Sequence, residues 1–170
     1  KANEIKLITS KAIDFAAIRG KKNGKYVSKE NRNYSEYRGL KVKRLNSKVS
    51  SAPKDHKWTS ALRTQTIKSD HIKKIKGLLD INEDILNFFF NMGPILEDFF
   101  SFIKDIQRSH EFIPEIIHCF YLPYANLIYS LFFSKKFNIP CVVTPFLHLE
   151  NQRYQNSEIF TVLSKFTKII

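Results

Sequence analysis

Cysteine occurs only twice in the 170 residues, as Cys119 and Cys141, which is too few for a disulfide framework or a zinc cluster. Both lie in apolar runs, where reduced and buried thiols are expected, and reduced thiols fit a cytoplasmic setting better than a secreted one. The histidines offer no metal pattern either, since His110 and His118 stand eight apart across Pro114 with no second pair behind them. There is no Gly-x-Ser-x-Gly elbow, no Walker loop and no dinucleotide-type glycine triplet, which removes three common catalytic and nucleotide-binding frameworks. The short GKKNG at Gly20–Gly24 has glycines and lysines but no strand directly before it. The longest apolar stretch, Ile85 to Ile103, is cut by Asn91, Gly93-Pro94 and Glu97-Asp98, whereas a membrane span needs about 20 nearly uncharged residues. Methionine appears once, at Met92, and the first residue is Lys1. With no signal or transit segment, the expectation is an excerpt that begins inside a larger, soluble protein.

What is present is apolar and basic. Hydrophobic residues make up 43% and aromatics 14% of the chain, enough for a sizeable core and against wholesale disorder. The length suits one domain. Charge is uneven: residues 1–76 carry 21 basic and 6 acidic side chains, net +15, whereas residues 77–170 carry 7 and 10, net −3. Such asymmetry marks a basic arm or an anionic partner. It also matches compositional drift, because Lys, Ile, Phe and Asn supply 68 of 170 residues and Lys outnumbers Arg 21 to 7, whereas phosphate reading favours Arg forks.

The pattern along the chain predicts strands at Glu4–Thr9, where Ile5, Leu7 and Thr9 alternate with Glu4, Lys6 and Ile8, and at Leu40–Leu45, opened by Gly39. Residues 19–38 and 46–56 read as polar loops. A weakly amphipathic helix is predicted over Lys57–Leu79, with Trp58, Leu62, Ile72, Ile75 and Leu79 as core contacts. Two aromatic-rich helical pieces follow over 83–92 and 95–107, separated by Gly93-Pro94. Beyond Pro114 come a short buried strand at Glu115–Cys119, a helix at Pro123–Phe137 with Leu127, Leu131 and Phe132 inward, and a stop at Asn138. A β-branched strand at Ile139–Thr144, of the kind covered on both faces, is next. A loop to Arg153, a helix at Ser157–Phe166 and the start of a strand at Thr167–Ile170 complete the order. Strand, helix, strand, helix, strand at this spacing predicts a right-handed parallel α/β unit. No internal repeat is found.

The segment PEIIHCFYLPYANLIYSLFFSKKFNIPCVVTPFLHLENQRY resembles the N-terminal domain of family 4 retaining glycosyltransferases. The likeness lies in the ordered set of a strand ending in His, a helix of small and apolar residues, "IP-VVT" and a loop His, and it covers residues 112–156. Glu4–Thr9 with Ser10 looks like the second strand of that domain, Tyr37–Leu45 like the next, and Asn91-Met92-Gly93-Pro94 like a loop-helix entry seen in some members. The resemblance implies an α/β, Rossmann-like parallel sheet with flanking helices, the incomplete N-terminal half of a GT-B fold. Residues 1–170 would then be a partial acceptor-side domain. Its first strand with a Gly-rich loop would lie before Lys1, and the C-terminal donor domain with its paired glutamates after Ile170. Such a fragment is expected to be inactive alone. Its parent is expected to move a sugar from a nucleotide-sugar donor to a lipid-linked or glycan acceptor, with no further cofactor and no metal.

In open parallel sheets ligands collect beyond the carboxyl ends of the strands, and the loops after Cys119 and Thr144 leave from those ends. Phe120, Tyr121, Tyr124 and Asn126 are placed in one loop; Phe146, His148, Glu150, Arg153 and Tyr154 in the next. Aromatic faces with a few directed hydrogen bonds suit sugars and lipid-linked acceptors. The resemblance places a functional histidine at His148, the candidate catalytic residue: a neutral imidazole near the donor sugar can hydrogen-bond a hydroxyl or steady charge as it develops. An exposed loop histidine is the plainer alternative. Tyr121, Tyr124, Asn126, Glu150, Arg153 and Tyr154 are the candidate substrate-binding residues. For Glu150 a solvated acid, for Arg153 a surface ion pair, and for Tyr121 and Tyr124 lid or core aromatics compete with that role. His118, inside its strand, reads as a hydrogen-bonded structural residue. The Phe88-Phe89-Phe90 and Phe99-Phe100 clusters read as core, or as an apolar approach for a lipid acceptor.

Two other classes compete with a cytoplasmic, peripherally membrane-bound glycosyltransferase. One is a nucleic-acid-binding module using the basic residues 1–76 with Tyr26, Tyr34 and Tyr37, although no recognised nucleic-acid motif is present. The other is a non-catalytic subunit that completes its site with a partner chain. An anionic membrane surface suits the enzyme and the subunit alike.

Overall fold

The longer helices form where apolar residues recur at helical spacing and stop where a cap or a left-handed residue breaks the run. The computed structural model describes residues 4–10, 35–48, 69–91, 95–109, 113–120 and 125–144. These form a mixed α/β arrangement of small sheets and helices. Trp58, Leu62, the turn at Gly93-Pro94 and everything predicted after Thr144 lie outside the described residues.

Strand β1 (Lys6–Ser10) runs parallel to β3 (Leu40–Leu45), with Lys6 opposite Lys41 and Ser10 opposite Leu45. Strand β2 (Ser35–Tyr37) adds antiparallel to β3, giving the order β1-β3-β2. The strand predicted over Leu40–Leu45 has those bounds, and the one predicted over Glu4–Thr9 forms one or two residues later. The loop predicted over 19–38 is corrected at its end, where residues 35–37 pair as β2. The turn explains this: Arg38 and Gly39 join Tyr37 to Leu40 with φ of 49° and 80°. Two successive positive φ values make a two-residue type I′ turn, whose twist matches that of the flanking strands. Gly39 adopts it freely, whereas Arg38 is held there by the pairing on either side.

Asn46 links this sheet to the helices. Its backbone N–H donates to Asp98 Oδ2 at 3.1 Å, its side-chain amide donates to the same carboxylate, and its carbonyl accepts from Glu97 N–H at 2.8 Å. Beyond it β4 (Ser47–Lys48) pairs antiparallel with β5 (Ile95–Leu96). The helix predicted over 95–107 therefore starts late, as α3 (Phe99–Ser109). Asp98 sets that boundary, because its carbonyl accepts the Phe102 N–H at 2.9 Å while Asn46 holds its carboxylate. Ile95 and Leu96, both buried, are thereby drawn into strand pairing.

Helix α1 (Ser69–Leu79) buries His71, Ile75 and Leu79 and half-buries Ile72 and Leu78, a stripe at helical spacing. Asp70 in its first turn and Lys76 in its last complement the helix dipole. Asp80, at φ 53°, ends it with an N–H donated to Lys76 O at 2.9 Å. Asn82 then caps α2 (Glu83–Asn91): its Oδ1 accepts the Asp84 N–H at 2.9 Å. Leu86, Phe89 and Phe90 of α2, and Phe99, Phe102 and Ile103 of α3, point into one core.

Helix α4 (Ala125–Phe137) is the centre of that core. Leu127, Leu131 and Phe132 are buried as the sequence predicts, together with Ala125, Ile128, Tyr129 and Phe133. A helix apolar on so much of its circumference must be covered from several sides, and α1, α2, β6 (Ile117–Phe120) and β7 (Cys141–Thr144) all pack on it. Asn138 ends it at φ 55°, and the Ile139 N–H reaches back to Ser134 O at 2.9 Å, the six-to-one bond of a Schellman cap. Among the described residues no helix is long and apolar enough to cross a membrane.

Strands β6 and β7 are parallel, with Ile117 opposite Cys141 and Phe120 opposite Thr144. Their odd-numbered residues, Ile117, Cys119, Cys141 and Val143, face the core, and the even-numbered residues face away. Coverage of the Ile139–Thr144 strand on both faces is therefore corrected: Val142 is 46% exposed and Phe120 44% exposed. The buried strand predicted at Glu115–Cys119 is likewise a half-covered one, displaced to residues 117–120.

Candidate functional site at the ends of two parallel strands

The carboxyl ends of β6 and β7 lie side by side because Phe120 and Thr144 are directly paired. At this rim the outward side chains make a small polar cluster. His118 Nε2 lies 2.7 Å from Thr144 Oγ1, across one strand and two positions along the next. The His118 ring also stacks on Phe120, with centroids 3.9 Å apart and planes 35° from parallel. His118 is thus hydrogen-bonded, as its place in the strand suggests, but it stands on the exposed face rather than in the interior. An imidazole fixed at one nitrogen and supported by a ring can present its other nitrogen to a ligand hydroxyl.

Asn126 is the member of the predicted site set that lies among the described residues. It occupies the first turn of α4, where its Nδ2 donates to the Phe120 carbonyl. That bond clamps the end of β6 to the start of α4. The Asn126 Oδ1 is buried and has no hydrogen-bond partner among the described residues. Tyr121, Tyr124, His148, Glu150, Arg153 and Tyr154 lie outside the described residues. Thr144 was not singled out by its sequence, because its meeting with His118 depends on strand register. Among the described residues no group of His, Cys, Asp or Glu is arranged to hold a metal ion.

Compared with protein-family models, with curated proteins and with solved structures, the chain matches none.

On the inward face of the same strands sit the two thiols. Burial raises Cys119 above its ordinary value, against a smaller lowering by the Ser130 hydrogen bond. Burial, with Cys119 close by, pushes Cys141 up to about 12. Neither is a ready nucleophile at neutral pH, since the thiolate is the reactive form. Native protein is expected to resist alkylation by iodoacetamide near pH 8, while denatured protein reacts at both positions. The same shifts set an alkaline limit. Unfolded thiols ionise near pH 9 while the folded ones keep their protons, so stability is intact below about pH 9 and falls as pH rises towards 12. Denaturation curves across that range check the slope, and Cys141→Ala should flatten it.

Proposed function

We propose that the chain is part of the acceptor-side domain of a retaining, nucleotide-sugar-dependent glycosyltransferase of GT-B type, similar to family 4. The parent enzyme transfers a sugar to a lipid-linked or glycan acceptor in the cytoplasm or at its membrane surface. One observation carries the reading: β6 and β7 are parallel, joined through α4, and end in register at Phe120 and Thr144. The segment bearing Tyr121 and Tyr124 and the segment bearing His148, Glu150, Arg153 and Tyr154 therefore start from adjacent points on the same rim. That is where open parallel sheets collect ligands.

The chemistry asked of these residues is modest. Retaining transfer develops positive charge on the donor sugar as the nucleotide phosphate departs, as in glycoside hydrolysis. A neutral His148 would donate a hydrogen bond to a sugar hydroxyl and stabilise that charge distribution without removing a proton. Asn126, clamped to the end of β6, would hold the acceptor loop in place. The test is His148→Ala in the full-length parent, assayed with a nucleotide sugar. Turnover is expected to fall about a hundredfold or more. Turnover equal to the parent's would remove His148 from the mechanism, and a parent that consumes no nucleotide sugar would overturn the reading altogether.

A further inference from the structure

We propose that His71 and Tyr129 form an acid-sensitive latch. It fastens α1 and β5 to α4 while the imidazole is neutral, and it lets go when the ring takes up a proton. The proposal stands apart from the glycosyltransferase reading and uses the helical core. His71 is 8% exposed, and among the described residues no Lys, Arg, Asp, Glu or other His is buried to that degree. Its Nε2 lies 3.3 Å from the Tyr129 hydroxyl, which accepts the Leu96 N–H at 3.0 Å. The two contacts run in one direction. The Leu96 N–H can only donate, so the phenol oxygen accepts from β5 and its own hydrogen goes to the imidazole. Nε2 is then the unprotonated nitrogen, and the ring's hydrogen sits on Nδ1.

A proton on Nε2 breaks the last link. Imidazolium donates at both nitrogens, so the phenolic hydrogen loses its acceptor. It is left among the rings of Phe90 and Phe99, 5.6 Å and 4.5 Å from that of Tyr129. The new charge is also poorly housed, since burial disfavours the charged form of a base. Helices α2 and α3 face His71 with the rings of Phe90 and Phe100, 6.5 Å and 4.5 Å away centroid to centroid. From α4 the ionisable group is the Tyr129 phenol, which burial keeps protonated. On α1 itself Asp70 is exposed, and the Lys74 ammonium already lies over the Phe100 ring, 5.1 Å from its centroid. A second cation there meets like charge rather than an open aromatic face. The sign of the pH effect follows. An ordinary imidazole takes up its proton near pH 6.5, so the unfolded chain binds a proton that the folded chain resists. The latch's contribution is complete above about pH 6.5 and is lost as pH falls below it. Leu96 belongs to β5, whose pairing with β4 spans only Ile95 and Leu96, so release there opens the junction between the helices and the N-terminal sheet.

Urea unfolding of the whole chain at about pH 7.5 and about pH 5 compares the parent with His71→Gln, which offers Tyr129 a carbonyl acceptor and does not titrate. Between the two conditions the parent's unfolding equilibrium constant should rise about tenfold more than the variant's. Over the same step the parent's Leu96 amide should lose about tenfold of its hydrogen-exchange protection, after correction for the intrinsic rate. If the variant does not fold, ring-nitrogen NMR of the parent decides. The His71 proton is expected on Nδ1, with the ring still mostly neutral at about pH 6, where an ordinary imidazole is mostly charged. A proton on Nε2 at neutral pH, titration of His71 at about pH 6.5 or above, unchanged Leu96 protection, or equal acid losses in parent and variant would each overturn the proposal.

Discussion

Tyr129→Ala is expected to lower the unfolding free energy by about 3–5 kcal/mol, the cost of a large cavity in a packed core. Tyr129 is buried on α4 and its ring is a meeting point for three elements. It lies 4.5 Å from Phe99 of α3, 5.6 Å from Phe90 of α2 and 6.0 Å from His71 of α1, centroid to centroid. The hydroxyl accepts the Leu96 N–H of β5 at 3.0 Å and lies 3.3 Å from His71 Nε2. Because Leu96 supplies one proton, the hydroxyl's own hydrogen is available for the imidazole. Tyr129→Phe separates the two contributions. It keeps the ring but leaves a buried Leu96 N–H without its acceptor, an expected loss of about 1–3 kcal/mol. Urea denaturation of both variants measures the split. A phenylalanine variant as stable as the parent would show that the hydroxyl only fills space. Burial also drives the phenol upward, against a smaller opposing effect of the Leu96 bond, so the hydroxyl stays protonated throughout the neutral range.

The parts of the fold that were legible in the sequence are those decided locally. Helix α4, its inward residues Leu127, Leu131 and Phe132, and its stop at Asn138 all follow from spacing and from the tolerance of asparagine for a left-handed backbone. The Leu40–Leu45 strand was legible for the same reason, being an alternating run after a glycine. Non-local pairing was not legible. Strands β4 and β5 are two residues each and exist because Asn46 binds the Asp98 turn; nothing in Ile95-Leu96 distinguishes them from a helix start. The same holds at the candidate site. Asn126 could be named from its sequence context, whereas the meeting of His118 with Thr144 requires a register in which Phe120 faces Thr144. A β-branched run likewise predicts burial on both faces only if both faces find a partner, and Val142 is exposed.

Whether the phenylalanine clusters are core or an approach for a lipid acceptor has a direct experimental answer. Phe90→Ala is expected to cost about 3–5 kcal/mol, which shifts the folding equilibrium by about two orders of magnitude or more. Phe90 is fully buried, and its ring meets both Tyr129 and His71 edge-on or tilted, the geometry in which aromatic pairs gain beyond their area. Against a total stability of about 5–15 kcal/mol, such a loss leaves a marginal protein. Phe120→Ala is the matched control. Its ring lies on the open face of β6, stacked on His118 alone among the described aromatics, so truncation should cost less than about 1 kcal/mol. Phe89, Phe99 and Phe102 are buried like Phe90, which assigns them to the packed interior. Among the described residues, Phe120 is the aromatic that is exposed at the strand ends. Equal losses for the two variants would mean that the outer face of β6 and β7 is covered in solution. The rim would then be closed to a ligand, and the acceptor site proposed there would fall with it.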